Sequence, residues 1–206
     1  MNLIRHFVIL GGETLLNPYL PQMIDYACRQ EKIFIVQVIS NGTMRLKDDL
    51  LQSLKANNTK CYVSLSDYSI NEGLKKILKY DEIKEALKQN DIKFQMAENK
   101  EWVSEKGFAK QKSSDEATKH KIKECFRSQC NCVMNGKLDI CSKSAGAREL
   151  GLLELNDCVD IVNSKNLRED LIKFYQNDTY DACAYCILSD EKIQAGIQKM
   201  DNFLDY

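Results

Sequence analysis

The sequence predicts an α/β fold of parallel strands and helices, followed by a small cysteine-rich α+β region. Two observations predict this. Short β-branched runs alternate with helical patterns up to about residue 100, and seven of the nine cysteines lie after residue 124. Alternating strands and helices favour a parallel sheet with right-handed crossovers. The 206 residues, 44% of them hydrophobic, are enough for a real core in one medium domain or in one domain plus a small satellite.

The elements of the first region follow from the spacing of apolar residues. The pattern predicts strands over 3–10, 33–39, 60–65 and 92–96, and helices over 20–30, 46–55 and 72–89. Residues 33–39 (IFIVQVI) are too hydrophobic to face water on either side, which is typical of a strand in a parallel sheet. We therefore expect consecutive βα units over residues 1–108.

A polar segment separates the two regions. Residues 109–123 (AKQKSSDEATKHKIK) are rich in charge, so they are interpreted as a linker, either a loop or a solvated helix with few anchoring contacts. The second region, 124–206, is predicted to contain a hairpin turn at Asn135-Gly136-Lys137 and helices near 167–176 and 191–203. No internal repeat is visible.

Composition excludes several classes of protein. The formal net charge is −1 and the two signs are interspersed, which disfavours nucleic-acid binding. No apolar run reaches the roughly 18 residues of a membrane span, and the N-terminus does not resemble a secretory signal. We therefore expect a cytoplasmic protein. An odd number of cysteines in a reducing compartment favours thiolate ligands over a disulfide framework.

Four cysteines have the spacing of a metal site. Cys125 is followed by ten residues, Gly136, four residues and Cys141, and Cys183-x2-Cys186 supplies two more thiolates. A turn through Asn135-Gly136 brings Cys125 and Cys141 towards each other, and four thiolates suit either zinc or an iron–sulfur cluster.

The other five cysteines are interpreted differently. Cys130 and Cys132 lie between Cys125 and the turn, so either is an alternative ligand, and the sequence leaves this open. Cys28 and Cys61 lie inside helix and strand patterns without a cysteine close in sequence, so they are expected to pack in the core. Cys158 is likewise without a partner.

A second candidate site lies where the first predicted strand ends. Gly11, Gly12 and Glu13 follow the apolar run Val8 to Leu10. Glycines allow backbone to come close to a ligand, and the carboxyl end of a strand in an α/β sheet is where ligands usually lie. Glu13 is therefore expected to receive a small cationic group.

Together these motifs resemble radical S-adenosylmethionine enzymes. The strand followed by Gly11-Gly12-Glu13 is similar to the family's Gly-Gly-Glu motif, which receives the amino group of the cofactor's methionine moiety. ISNGT, containing Asn41, resembles the turn after the next barrel strand. VSLSDY, containing Ser64, resembles the following strand end, where a serine often approaches the ribose or methionine part. The resemblance implies a (βα) barrel that binds S-adenosylmethionine.

The cysteine region resembles the family's auxiliary-cluster extension, called SPASM, in its shortened twitch form. This resemblance implies one auxiliary [4Fe–4S] cluster on Cys125, Cys141, Cys183 and Cys186. It also implies radical modification of a peptide, a sugar or another small molecule. The alternative, from another class, is a non-catalytic zinc or iron–sulfur module that docks onto a partner.

One departure from the family is large. The Cys-x3-Cys-x2-Cys loop that holds the cofactor-cleaving cluster is absent, and only ten residues precede Gly11. The sequence therefore predicts a truncated, partial barrel that is inactive alone. Residues 3–10 would then form an apolar sheet edge, which favours a missing segment, a partner chain or self-association as its cover.

Overall fold

The computed structural model describes residues 3–97, 101–104, 106–128 and 130–194. These residues form two compact units. The first contains the described residues up to Trp102 together with Lys192–Gln194, and the second is Val103–Glu191. The sequence predicts the boundary at residue 108, slightly later than the division in the structure. Among the described helices, none has the length and apolar character required to span a membrane.

The first unit is built on a four-stranded parallel sheet, which confirms the predicted α/β class. Its strands are β1 (Ile4–Ile9), β2 (Ile33–Ser40), β3 (Cys61–Leu65) and β4 (Phe94–Met96). Their spatial order is β1-β2-β3-β4, so each strand pairs with the strand that precedes it in the sequence. β1 is an edge strand of this sheet, and its Ile4 is 47% exposed.

Helices pack against one face of the sheet. A short 3-10 helix (Thr14–Leu16) is followed by α1 (Leu20–Arg29), α2 (Asp48–Ala56), α3 (Glu72–Lys75) and α4 (Tyr80–Gln89). α1, α2 and α4 contribute Ile24, Leu54 and Leu87, all fully buried, to one core with alternate residues of the strands. Because the three helices share one core, the crossovers all lie on the same side of the sheet.

The helix predicted over 72–89 is instead two helices. The backbone N–H of Lys79 donates to the carbonyl of Gly42 (2.7 Å) rather than to its own helix, so α3 and α4 are separate. The next residue, Tyr80, packs its ring against Gly42. Its hydroxyl donates to the carbonyl of Ser66 (2.6 Å) and accepts from the N–H of Tyr68 (2.8 Å). Tyr80, the first residue of α4, therefore connects the turns that follow β2 and β3.

The second unit contains a small antiparallel sheet surrounded by helices. Its strands are β6 (Cys132–Met134), β7 (Lys137–Asp139) and β8 (Val159–Asp160), and its helices are α5 (Asp115–Glu124), α6 (Ser142–Glu149), α7 (Leu167–Gln176) and α8 (Asp181–Tyr185). Asn135 and Gly136 both have positive φ (+49° and +74°), as a type I′ hairpin requires, so the predicted turn is confirmed. The helix predicted over 167–176 is α7.

A further pair of strands lies partly where the sequence predicts the helix over 191–203. β5 (Glu101–Val103) and β9 (Lys192–Gln194) form a two-stranded sheet. The helix predicted over 191–203 is therefore strand at 192–194, and its later residues lie outside the described part of the chain.

The polar segment 109–123 is not simply a linker, because most of it belongs to α5. The hydroxyl of Ser114 accepts from the N–H of Ala117 (3.3 Å) and caps the helix. Thr118 is fully buried, and Ile122 packs against the core of the second unit. These two residues turn inward, while most charged residues of the helix remain exposed. Composition alone does not predict this helix, because it does not distinguish the buried face of a helix from the exposed one.

Replacing Gly42 with alanine is expected to destabilise the first unit by about 1–3 kcal/mol. At φ +75° an added Cβ would lie 2.2 Å from a Tyr80 ring carbon. Gly11→Ala is the matched control, because nothing lies within 4 Å of its Cβ position. Urea unfolding followed by circular dichroism measures both. Equal unfolding midpoints for the two variants would contradict the prediction.

Candidate metal centre

The four cysteines selected by their spacing line one pocket inside the second unit. Cys125, Cys141, Cys183 and Cys186 all contribute to its wall, and its volume is about 470 Å³. The rest of the wall is partly apolar and partly charged with both signs, and includes Phe108, Ile187, Lys121, Lys143, Glu124 and Asp190. Three separate segments of the chain thus bring four thiols to one cavity.

Cys141 is held at the N-terminus of α6. It is the N-cap residue, and its Sγ accepts from the backbone N–H of Ser144 (3.4 Å). Burial raises the pKa of the Cys141 thiol, while the amides of Ser144 and Lys143 oppose that rise. A helix N-terminus favours a thiolate over a neutral thiol, so this position suits an anionic ligand.

Cys183 and Cys186 lie on and just after α8. Cys186 is the C-cap, and its N–H donates to the carbonyl of Cys183 (3.3 Å), which folds the two-residue spacer into a single turn. Burial raises the pKa of Cys183 to about 12, and the neighbouring thiols of Cys141, Cys186 and Cys125 add to the rise. Cys183 is therefore within electrostatic reach of the other three thiols.

Cys125 enters the pocket from the end of α5. It is the C-cap of that helix, its N–H donates to the carbonyl of Ile122 (3.3 Å), and its own carbonyl accepts from Ser128 (3.0 Å). The spacing left Cys130 and Cys132 as alternatives to Cys125. Among the described residues, neither of them lines the pocket, and neither does Cys158. The geometry thus favours Cys125 as the fourth thiol.

The donor set determines what this pocket can bind. Four thiolates suit a tetrahedral zinc ion or an iron–sulfur cluster. Over the described ranges, no group of three or more His, Cys, Asp or Glu residues is arranged to hold a metal ion. The four thiols share one pocket wall without forming such a group, so the donor set alone does not distinguish zinc from a cluster.

No family model and no curated protein matches this chain. The site is therefore interpreted from its own geometry and from the sequence motifs.

The strand-end motif forms a second polar group, at the carboxyl edge of the sheet. Glu13 is 7% exposed, whereas Gly11 and Gly12 are exposed and have open space around them. One carboxylate oxygen of Glu13 accepts from the N–H of Leu15 (2.9 Å), and the other accepts from the N–H of Asn41 (2.7 Å). Glu13 thus caps the 3-10 helix and links the exits of β1 and β2.

The remaining predicted cofactor contacts also have partners within the chain. The side-chain oxygen of Asn41 accepts from the N–H (2.9 Å) and the hydroxyl (2.7 Å) of Thr43. Ser64 is 4% exposed and accepts from the Gln95 amide (3.4 Å). The structure brings Glu13 and Asn41 together, with Ser64 on the neighbouring strand. Their roles as cofactor contacts stay predictions.

Two cysteines expected to lack a partner are in fact neighbours. Cys28 of α1 and Cys61 of β3 both pack in the core of the first unit, close enough for each thiol to influence the pKa of the other. No sequence pattern indicates this contact, because the two residues belong to different elements that only the packing brings together. The structure agrees with the prediction that Cys28 and Cys61 pack in the core. It differs from the prediction that neither has another cysteine nearby.

Glu13→Gln is expected to lower the free energy of unfolding by about 1–3 kcal/mol. The glutamine side chain has one acceptor oxygen, so its amide group must face either the N–H of Leu15 or that of Asn41. Glu31→Gln, at an exposed position of the same unit, is the matched control. Urea unfolding followed by Trp102 fluorescence and circular dichroism compares them. Indistinguishable midpoints would show that the carboxylate is dispensable.

Cys61 is expected to resist alkylation until the pH is strongly alkaline. Burial raises its pKa to about 12, so little thiolate exists at neutral pH. Because the folded value exceeds the ordinary 9.0, the contribution of Cys61 to stability is complete below pH 9.0 and declines as the pH rises towards 12. Iodoacetamide labelling of metal-free protein, read by mass spectrometry, should modify exposed Cys130 first. Rapid labelling of Cys61 at pH 8 would contradict the prediction.

Proposed function

We propose that this chain is an iron–sulfur protein of the radical S-adenosylmethionine type, with an auxiliary [4Fe–4S] cluster on Cys125, Cys141, Cys183 and Cys186. One observation carries the proposal. Four cysteines with candidate ligand spacing, from three segments of the chain, line a single pocket, and the alternatives Cys130 and Cys132 do not.

The chemistry of the pocket supports a cluster. All four candidate ligands are sulfur, which iron–sulfur clusters require. Lys121 and Lys143 contribute to the same wall and oppose the negative charge of four thiolates. When bound, the cluster would supply an electron path or an anchor for substrate.

The first unit supports the finer part of the proposal, a partial (βα) barrel. Strands in sequential order with all helices on one face are what successive βα units of a barrel produce. A carboxylate has about four lone-pair sites. Glu13 uses two of them, for the N–H groups of Leu15 and Asn41, which leaves acceptor capacity for the amino group of S-adenosylmethionine. Gly11 and Gly12 leave open space beside it.

The reaction of the intact family would be radical modification of a peptide, a sugar or another small molecule. Because the sequence contains no Cys-x3-Cys-x2-Cys segment, we propose no cofactor cleavage by this chain alone. Its part in such a reaction is the auxiliary cluster and the carboxyl edge of the sheet.

Anaerobic reconstitution tests the cluster. The purified chain is incubated with iron and sulfide, and iron, sulfide, zinc and the visible spectrum are measured per chain. We expect about four irons and four sulfides with broad absorbance. Cys183→Ala and Cys186→Ala should abolish both, whereas Cys130→Ala and Cys158→Ala, outside the pocket, should retain them.

Other results separate the alternatives. One zinc per chain without colour would replace the cluster with a structural zinc module. Uptake of no metal, or uptake that the Cys130→Ala variant abolishes and the Cys183→Ala variant does not, would overturn the ligand assignment.

A further inference from the structure

The ammonium group of Lys121 has an unusual set of partners. Its Nζ donates to the hydroxyl of Ser113 (2.7 Å) and to the carbonyls of Cys186 (3.0 Å), Ala184 (3.2 Å) and Cys183 (3.5 Å). Three of these acceptors belong to the segment that carries the Cys183-x2-Cys186 pair. One side chain thus contacts the backbone of two candidate ligands.

The position of Lys121 extends this link to a third ligand. Lys121 lies in the last turn of α5, four residues before Cys125. The carbonyls it contacts lie at the C-terminal end of α8, where helix carbonyls lack partners within the helix and a cation is favoured. Lys121 therefore joins the helix that ends at Cys125 to the turn that holds the other two thiols.

The other lysines near it on α5 behave as ordinary surface residues. Lys119 pairs with Asp178 (2.8 Å) at an exposed position, and Lys123 is exposed. Over the described ranges, the hydrogen bonds of Lys121 go to neutral oxygens, and neither carboxylate of the pocket wall, Glu124 or Asp190, forms an ion pair with its charge. That charge lies in the wall of the pocket.

Building on the proposed function, we propose that Lys121 is a positioning residue for the cluster. It holds the Cys183-x2-Cys186 turn in place in the metal-free chain, and its charge raises the reduction potential of the bound cluster. The second effect follows from Coulomb's law, because reduction adds a negative charge that a nearby cation stabilises. The first requires no metal, so it can be tested separately.

Hydrogen exchange of the metal-free protein tests the first effect. Lys121→Met keeps the length of the side chain and removes its charge and donors, and Lys119→Met is the matched control on the same helix. We expect faster exchange in Lys121→Met at the amides of Ala109, Ser113 and Cys186, which bond to or lie within the turn. Lys119→Met should exchange like the wild type there. Equal exchange in both variants would overturn the proposal.

The reconstituted protein tests the second effect. We expect Lys121→Met to lose iron to a chelator about tenfold faster than Lys119→Met, the scale of loss when a group supporting metal ligands is removed. Its midpoint potential should also be more negative. Lys121→Arg, which keeps the charge, should restore the potential. If Lys121→Met exchanges faster but its midpoint potential does not change, Lys121 has only a structural role, and the proposal is overturned.

These measurements distinguish a failure of this inference from a failure of the proposed function on which it rests. A wild-type chain that takes up no iron contradicts the proposed function, and exchange in the metal-free protein still decides whether Lys121 holds the turn. If Lys121→Met fails to fold by circular dichroism, Ser113→Ala replaces it. This variant removes one partner of Lys121 and keeps its charge, so it should accelerate exchange of the turn and leave the potential unchanged.

Discussion

A helix of five residues is too short to stabilise itself in water, and the pocket depends on how the chain compensates for this at α8. The segment before α5 runs beside the helix end: Ala109 donates to the carbonyl of Tyr185 (2.7 Å), and Ser113 donates to that of Ala184 (3.0 Å). Phe108 forms an antiparallel bridge with Cys186. The Cys-x2-Cys turn is therefore positioned by tertiary contacts, and two distant parts of the sequence must fold together before its thiols can meet Cys125.

The other side of the pocket depends on a buried ion pair. Asp139 is 2% exposed, and its two oxygens accept from Nε (3.2 Å) and Nη2 (2.8 Å) of Arg148. The same guanidinium contacts the carbonyl of Met134 (3.3 Å), so α6 is fixed to both strands of the β6–β7 hairpin. Buried pairs of this kind contribute more to a unique geometry than to net stability. In this chain the ion pair fixes the position of Cys141, which lies two residues after Asp139.

The fold could be predicted wherever local pattern and burial agree. β2, β3 and α7 follow the apolar pattern closely, because the residues that define it pack against the cores of their units. The predictions failed where one tertiary contact overrides a local pattern. The bond between Lys79 and Gly42 divides a continuous helical pattern, and burial of Thr118 makes a stable helix of a segment whose composition is typical of a linker. Neither contact has a counterpart in the neighbouring sequence.

The candidate site likewise contains residues that the sequence predicts and residues that only the tertiary structure reveals. Cysteine spacing indicated Cys141 and the Cys183-x2-Cys186 pair, which a short turn keeps close together, but it left Cys130 and Cys132 as alternatives to Cys125. Only the packing shows that Cys125 lines the pocket and the alternatives do not. Lys121 has no spacing constraint, since it acts on backbone carbonyls that any sequence provides, and a lysine in a polar segment is indistinguishable from a solvated one. Glu13 is the converse case, because its motif predicted a ligand contact and the structure also gives it a structural role. A carboxylate held by Leu15 and Asn41 is already oriented, so the bonds that stabilise the strand exits also fix the direction from which a ligand's amino group can approach.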